Sequence, residues 1–197
     1  MKNVYMLLLF AALAFVIGAC GNHDSSISVG ELTEREKAIL SVTSDKSFVF
    51  DFNIESEYKE LTVWMEKYKS GKLVDDQLGD ITSMVEENGS IIFALSKNAD
   101  EGQKTYNIGI SSEGRIASVS GLEEDLNDLE KMASLWGDFQ GKRILDEGEV
   151  VLAHISYSDA ENGMRTLSTD FDEDVEGHMN ELEQYDVTYL LKAKFIK

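Results

Sequence analysis

Strict alternation is the feature that most limits how this chain can fold. Phe48, Phe50, Phe52 and Ile54 are separated by single residues, Asp51 and Asn53 among them, so an extended backbone would place the four apolar groups on one face. Leu61, Val63 and Met65 repeat the pattern against Thr62, Trp64, Glu66 and Tyr68. Tyr106, Ile108 and Ile110 follow it, as do Val187, Tyr189, Leu191, Ala193 and Phe195 near the end of the chain. A helix would scatter such residues around its circumference, whereas a strand gathers them. Ile91 to Leu95 is apolar without interruption, which predicts a central strand covered on both faces.

Turn chemistry separates these runs. Ser70-Gly71 predicts a hairpin returning through Leu73-Val74, and Ser112-Glu113-Gly114 one that returns through Ile116 to Val119. Asn88-Gly89 opens the Ile91 strand, and Asn162-Gly163 predicts that the strand Val150–Tyr157 returns through Met164 to Leu167. The chain has no proline, so its turns rest on Gly, Asn, Asp and Ser. Two stretches read as helix. Thr33-Glu34-Arg35-Glu36 has the form of a capping box ahead of Ala38-Ile39-Leu40. Leu122, Leu126, Leu129, Ala133 and Trp136 recur at helical spacing, with a second box at Ser120 to Glu123 and Gly137 as a stop. The expectation is a mainly β protein, an antiparallel β-sandwich of about 7–9 strands with one or two short helices.

The N-terminus reads as an address. Lys2 is the one charge in the first twenty residues, an apolar run follows from Val4 to Gly18, and Ile17-Gly18-Ala19-Cys20 has the layout of a lipoprotein cleavage site. The expected organisation is a signal peptide over residues 1–19, a lipidated linker over 20–30 and a single domain over 31–197. Gly21 to Gly30 is small, polar and aperiodic, with His23 solvated within it. Cys20 is the lone cysteine, so no internal disulfide is available, and a doubly acylated Cys20 would supply the two chains that stable anchoring needs. The expected location is the outer face of the cell membrane.

Charge narrows the partners. Asp and Glu number 37 against 18 Lys and Arg, a net charge of −19, while the 43% hydrophobic content is that of a folded protein. Such a surface repels phosphate backbones, which excludes nucleic acid, and favours cations and basic proteins.

Three constellations are candidate sites. Counted from Asp172, an EF-hand-like register places Asp172, Asp174, Glu176, Asn180 and Glu183 at calcium-ligand positions, with Gly177 at the sharp turn. Glu176 is longer than the usual residue there, the upstream segment reads as strand, and a solvated acidic loop is the plainer reading. Tyr58, Trp64 and Tyr68 share the strand parity opposite Leu61 to Met65 and would form an aromatic binding face if exposed, or packing under the second helix if covered. For catalysis, His154 reads as a hydrogen-bonded, partly buried strand residue continuing the Val150–Leu152 face, His178 lies in the acidic loop, and no nucleophile elbow, HExxH or phosphate loop is present.

The chain from Glu31 onward resembles a group of small lipoproteins of Gram-positive bacteria. The resemblance is carried by the lipobox, Leu32-Thr33-Glu34-x-Glu36-Lys37, Phe48-x-Phe50-Asp51 and Val63-Trp64-x-Glu66-x-Tyr68-x-x-Gly71. Gly148-Glu149-x-Val151-Leu152-Ala153 and Tyr185-Asp186-Val187-x-Tyr189 extend it. It implies place and fold, and no activity. The functional expectation is a membrane-anchored, non-enzymatic module that meets an envelope protein or glycan. The alternatives are an extracytoplasmic hydrolase of envelope or sugar polymer, and a calcium-binding envelope domain.

Overall fold

The computed structural model describes residues 24–97, 105–122, 129, 131–145, 148–161 and 163–197. Residues 1–19, read as a signal, and Cys20 lie outside the described residues. The strands are β1 (Ser26–Val29), β2 (Ser44–Asn53), β3 (Glu60–Lys69), β4 (Lys72–Met84), β5 (Asn88–Ser96) and β6 (Thr105–Ser112). They continue with β7 (Arg115–Leu122), β8 (Ala133–Asp138), β9 (Lys142–Ile144), β10 (Glu149–Ser158) and β11 (Val187–Ile196). Helix α1 (Glu34–Thr43) follows β1, and a short helix α2 (Val175–His178) runs into a 3-10 turn at Met179–Gln184.

Every pairing among the described residues is antiparallel, in two sheets. The first has six strands in the order β7-β6-β5-β2-β1-β9, the second five in the order β4-β3-β11-β10-β8. The sandwich read from the alternation is therefore present, with eleven strands among the described residues rather than seven to nine. Its core is the set of inward alternating residues: Phe50 and Phe52 of β2 and Ile91 and Phe93 of β5 face Leu61 and Val63 of β3 and Leu191 and Phe195 of β11. Phe52 meets Phe195 edge-on across the sheets, ring centroids 5.4 Å apart. Around β5 the covering is one-sided, because Ile91, Phe93 and Leu95 are buried while Ile92 and Ala94 are half-buried.

Both predicted tight hairpins form, with Ser70 and Gly71 at φ 47° and 74° and Glu113 and Gly114 at 47° and 75°, the paired positive φ of type I′ turns. The capping box forms as read: the Glu36 amide donates to Thr33 Oγ1 at 3.3 Å and the Thr33 amide to Glu36 Oε2 at 2.7 Å. Helix α1 buries no residue fully and rests over the outer face of the first sheet, beside Val49 and Ile92.

Three expectations are corrected. Ser26–Val29 is not linker but a strand between β2 and β9, with Ile27 fully buried, so the sandwich begins ahead of Glu31. The helix read over Leu122 to Trp136 is cut short at both ends: Leu122 ends β7, and Ala133 and Trp136 belong to β8, where Gly137 is a strand residue rather than a stop, while Leu129 between them is helical and buried. Leu126 lies outside the described residues. The return strand read over Met164 to Leu167 does not form, because β10 already has β8 on one edge and β11 on the other, and Asn162 itself lies outside the described residues. The chain instead crosses the outer face of the second sheet and lays down Leu167, Phe171, Leu182 and Tyr185 over Tyr68 and Leu190, a second and smaller apolar cluster.

Candidate functional site

The covering segment creates the site. Between it and the β8–β10 edge of the second sheet lies a half-open cleft of about 230 Å³. Leu135, Trp136, Gly137 and Asp138 of β8 and Phe139 line one side, Val151 to His154 of β10 the floor, and Thr166 to Thr169, Phe171 and Asp172 the roof.

A bulge puts His154 there. The β10–β11 register shifts between Val151 and Ala153. Val150 and Leu152 point into the core before it, Ile155 and Tyr157 after it, so the inward parity changes from even to odd and His154 faces outward. The sequence reading continued the Val150–Leu152 face through His154, and this bulge overturns it. The imidazole lies against Gly137, its cross-strand partner, and meets Phe171 edge-on at 6.5 Å. Nor is it hydrogen-bonded as expected, for its Nε2 is buried without a partner. Burial pushes its pKa down to about 4, against a smaller upward pull from Asp172, so the ring is neutral at pH 7.

Arg143 of β9 fixes the roof. Its guanidinium donates to the Asp172 backbone carbonyl at 2.7 Å, makes a close ion pair with the Asp172 carboxylate, and sits 5.0 Å over the Phe139 ring. Among the described residues Asp138 has no such cation; its carboxylate accepts from Gln140 Nε2 at 3.2 Å. Burial raises its pKa, with Asp172 adding to the rise and the hydrogen bonds from its own backbone and Gln140 opposing it.

On the roof itself, Ser168 joins His178 and Glu181 in a polar clasp. The Ser168 hydroxyl and amide donate to the two Glu181 oxygens at 2.7 and 2.8 Å, and His178 Nδ1 lies 2.8 Å from Glu181 Oε1 and 3.3 Å from Ser168 Oγ. Asp170 is 3.5 Å from His178 Nε2. The hydrogen bond to Glu181 holds the His178 pKa above its ordinary value, and the Ser168 hydrogen bond holds that of Glu181 below.

The five residues read as a calcium set do not converge. Asp172 is engaged by Arg143, Asp174 Oδ1 accepts from the Gly177 amide at 3.0 Å as the cap of α2, and Glu183 leans on Gly71 while Glu176 and Asn180 are exposed. Among the described residues no group of three or more His, Cys, Asp or Glu side chains is placed to hold a metal ion.

The aromatic row is not a free face. Tyr58, Trp64 and Tyr68 are 7, 8 and 6% exposed. Tyr58 packs edge-on to Phe195, and Tyr68 lies under the covering segment, not under a 122–136 helix. Trp64 carries Lys192 Nζ 5.7 Å above its ring. Lys192 donates to Glu66 and Glu149, both at 2.8 Å, and the Tyr68 hydroxyl donates to Glu66 at 2.6 Å. Burial alone would depress Lys192, but its two carboxylate partners outweigh that and hold its pKa up. Trp64 and Tyr68 are alternating β3 residues of the outer face, where Glu66 and Lys192 pair with each other, whereas Tyr58, ahead of β3, packs in the main core.

Asp138, Arg143, Ser168 and Glu181 were not picked out by sequence reasoning. Asp138 stood just past the misread helix, and Arg143 and Asp172 are joined only by a bulge-and-roof geometry that leaves no local spacing.

A mainly β sandwich with a roofed outer face and a lateral cleft defines the class of protein. The chain belongs to the YgaN domain family, whose match runs over residues 26–195 and so begins at β1. No curated protein and no solved structure matches it. Among the described residues no helix is long and apolar enough to cross a membrane.

Proposed function

We propose that this protein is a lipid-anchored module on the outer face of the cytoplasmic membrane that binds an envelope component without chemical turnover. The observation that carries the binding reading is the cleft: a concave site with largely apolar walls and a few fixed polar groups is the usual form of a recognition site. The Arg143–Asp172 pair holds its roof in place, which limits the ordering cost of binding. The anchoring reading rests on Lys2, the apolar run to Gly18 and Cys20. Intact-mass analysis of the membrane fraction tests it: the wild type should carry a diacyl mass on Cys20, and Cys20→Ala should lose it and appear in the medium. Membrane retention of that variant would overturn anchoring through Cys20. Capture from envelope extract by the purified chain, compared with a Thr166→Trp variant that narrows the cleft mouth, tests the binding reading. Equal capture by both would overturn it.

A hydrolase acting on envelope polymer is the second reading, favoured by Ser168 Oγ lying 3.3 Å from His178 Nδ1. The same hydroxyl donates to Glu181, which ties it to a carboxylate rather than to the imidazole. A fluorophosphonate probe that labelled the wild type and not Ser168→Ala would establish the hydrolase; absence of label is the expected outcome.

A further inference from the structure

We propose that the cleft selects a ligand bearing an ammonium group on a compact apolar body, with Asp138 as the counter-charge. The inference deepens the binding reading above and rests on it.

The charges around the cleft decide the sign. Among the described residues its lining contains no Lys or Arg, and the imidazole there, His154, is neutral. Of the two carboxylates, Asp172 is already neutralised by Arg143, so the roof contributes little net charge. Asp138 remains, half-buried, with a neutral amide as its side-chain partner and no ion pair among the described residues. A carboxylate taken partly out of water without a cation is unfavourable, and a cation arriving in the cleft restores what burial removed. The raised pKa of Asp138 is the same imbalance seen in the protein alone. An anionic ligand would meet Asp138 and the field of a chain of net charge −19, and is disfavoured twice.

The walls decide the body. Leu135, Val151, Leu167 and Phe171 offer an apolar surface, and two of the aromatic rings nearby already carry a cation. Phe139 carries Arg143 on its ring and stacks on Phe50, and Trp136 carries Lys46 at 5.5 Å. The cation is therefore held by the carboxylate and the apolar body by aliphatic contact. An apolar protein cavity of about 150 Å³ accepts benzene, so a cleft of this volume accepts one ring with a short substituent.

Three probes with one body separate the possibilities: benzylammonium, benzyl alcohol and phenylacetate, titrated at pH 7 into the whole chain while the His154 and Trp136 ring resonances are followed by NMR. Benzylammonium should saturate the shifts at millimolar concentration, benzyl alcohol should bind at least tenfold more weakly, and phenylacetate should not bind. Asp138→Asn, which removes an unpaired carboxylate and should keep the wild-type melting temperature, should bring benzylammonium down to the level of the alcohol. Asp76→Asn, on the exposed edge of β4, should change nothing. Equal binding of amine and alcohol, or full binding by Asp138→Asn, would overturn the charge selection while leaving a binding cleft. No binding by any probe would overturn the cleft as a recognition site as well. Nα-acetyl-lysine methylamide as a fourth probe separates sources: binding tighter than benzylammonium points to a lysine side chain of a protein partner, and weaker binding to a free amine.

Discussion

The imidazole of His154 occupies the space over Gly137 that any other residue's side chain would need. A Cβ at position 137 would stand 2.9 Å from His154 Nε2 and closer still to Cε1. Gly137→Ala should therefore push the ring off its strand neighbour and lower stability by about 1–3 kcal/mol. Adding His154→Ala should recover part of that loss, because the clash partner is gone. Denaturant unfolding of the two single variants and the double variant measures the coupling, and strict additivity would contradict the contact.

His154 also sets an acid limb. Its native pKa is about 4, below the ordinary 6.5, so between those values the unfolded chain takes up a proton that the native chain refuses. Stability should fall as pH drops from about 6.5 to 4, by up to roughly 3 kcal/mol from this residue. The raised pKa of Asp138 acts in the opposite sense, so the comparison is between wild type and His154→Phe, whose curve should be flatter. Parallel curves would contradict the assignment. His178, held up by Glu181, behaves in reverse. Its contribution is full below pH 6.5 and is lost as pH rises through the native value, so His178→Gln should converge with wild type in alkaline solution.

Removing Arg143 strands its partner. Arg143→Met should leave Asp172, 22% exposed, without its cation and cost about 1–3 kcal/mol. Arg143→Met with Asp172→Asn should cost less than the sum of the single changes. A chemical-shift change at Phe171 would report the loosened roof, and its absence would show that the pair does not hold it.

Millimolar calcium should leave the melting temperature unchanged, because Asp172 and Asp174 already have partners within the chain. A rise that tracks calcium concentration would show binding to the native state and overturn this.

A chain beginning at Asp24 should fold, and one beginning at Glu31 should not. The shorter chain lacks β1 and exposes the β2 edge, and Ile27→Ala alone should cost about 2–5 kcal/mol. Circular dichroism of the two chains decides.

Where local pattern and tertiary role agree, the structure was readable in the residues. β2, β3, β6 and β11 alternate because one face is core, and Thr33 with Glu36 caps a helix by contacts within four residues. What escaped depends on distant partners. Ser26–Val29 is four residues of Ser, Ile, Ser and Val, too short to carry a period, and is a strand because β2 and β9 flank it. Leu122, Ala133 and Trp136 have helical spacing yet belong to two strands in different sheets, so their interval carried no contact. Asn162-Gly163 is good turn chemistry beside a strand with no free edge. The cleft was hidden for the same reason: a bulge of one residue turns His154 outward, and nothing in Val150 to Tyr157 marks it.

The position of β1 has a mechanical consequence. It is hydrogen-bonded along both edges, to β2 over Ser26–Val29 and to β9 over Ser26–Ser28, with the ladders perpendicular to its axis. A pull entering at Ser26 along the strand loads both ladders at once, in shear, and cannot open them one bond at a time. The chain meets tension from its N-terminal side at the point where the sandwich is hardest to peel.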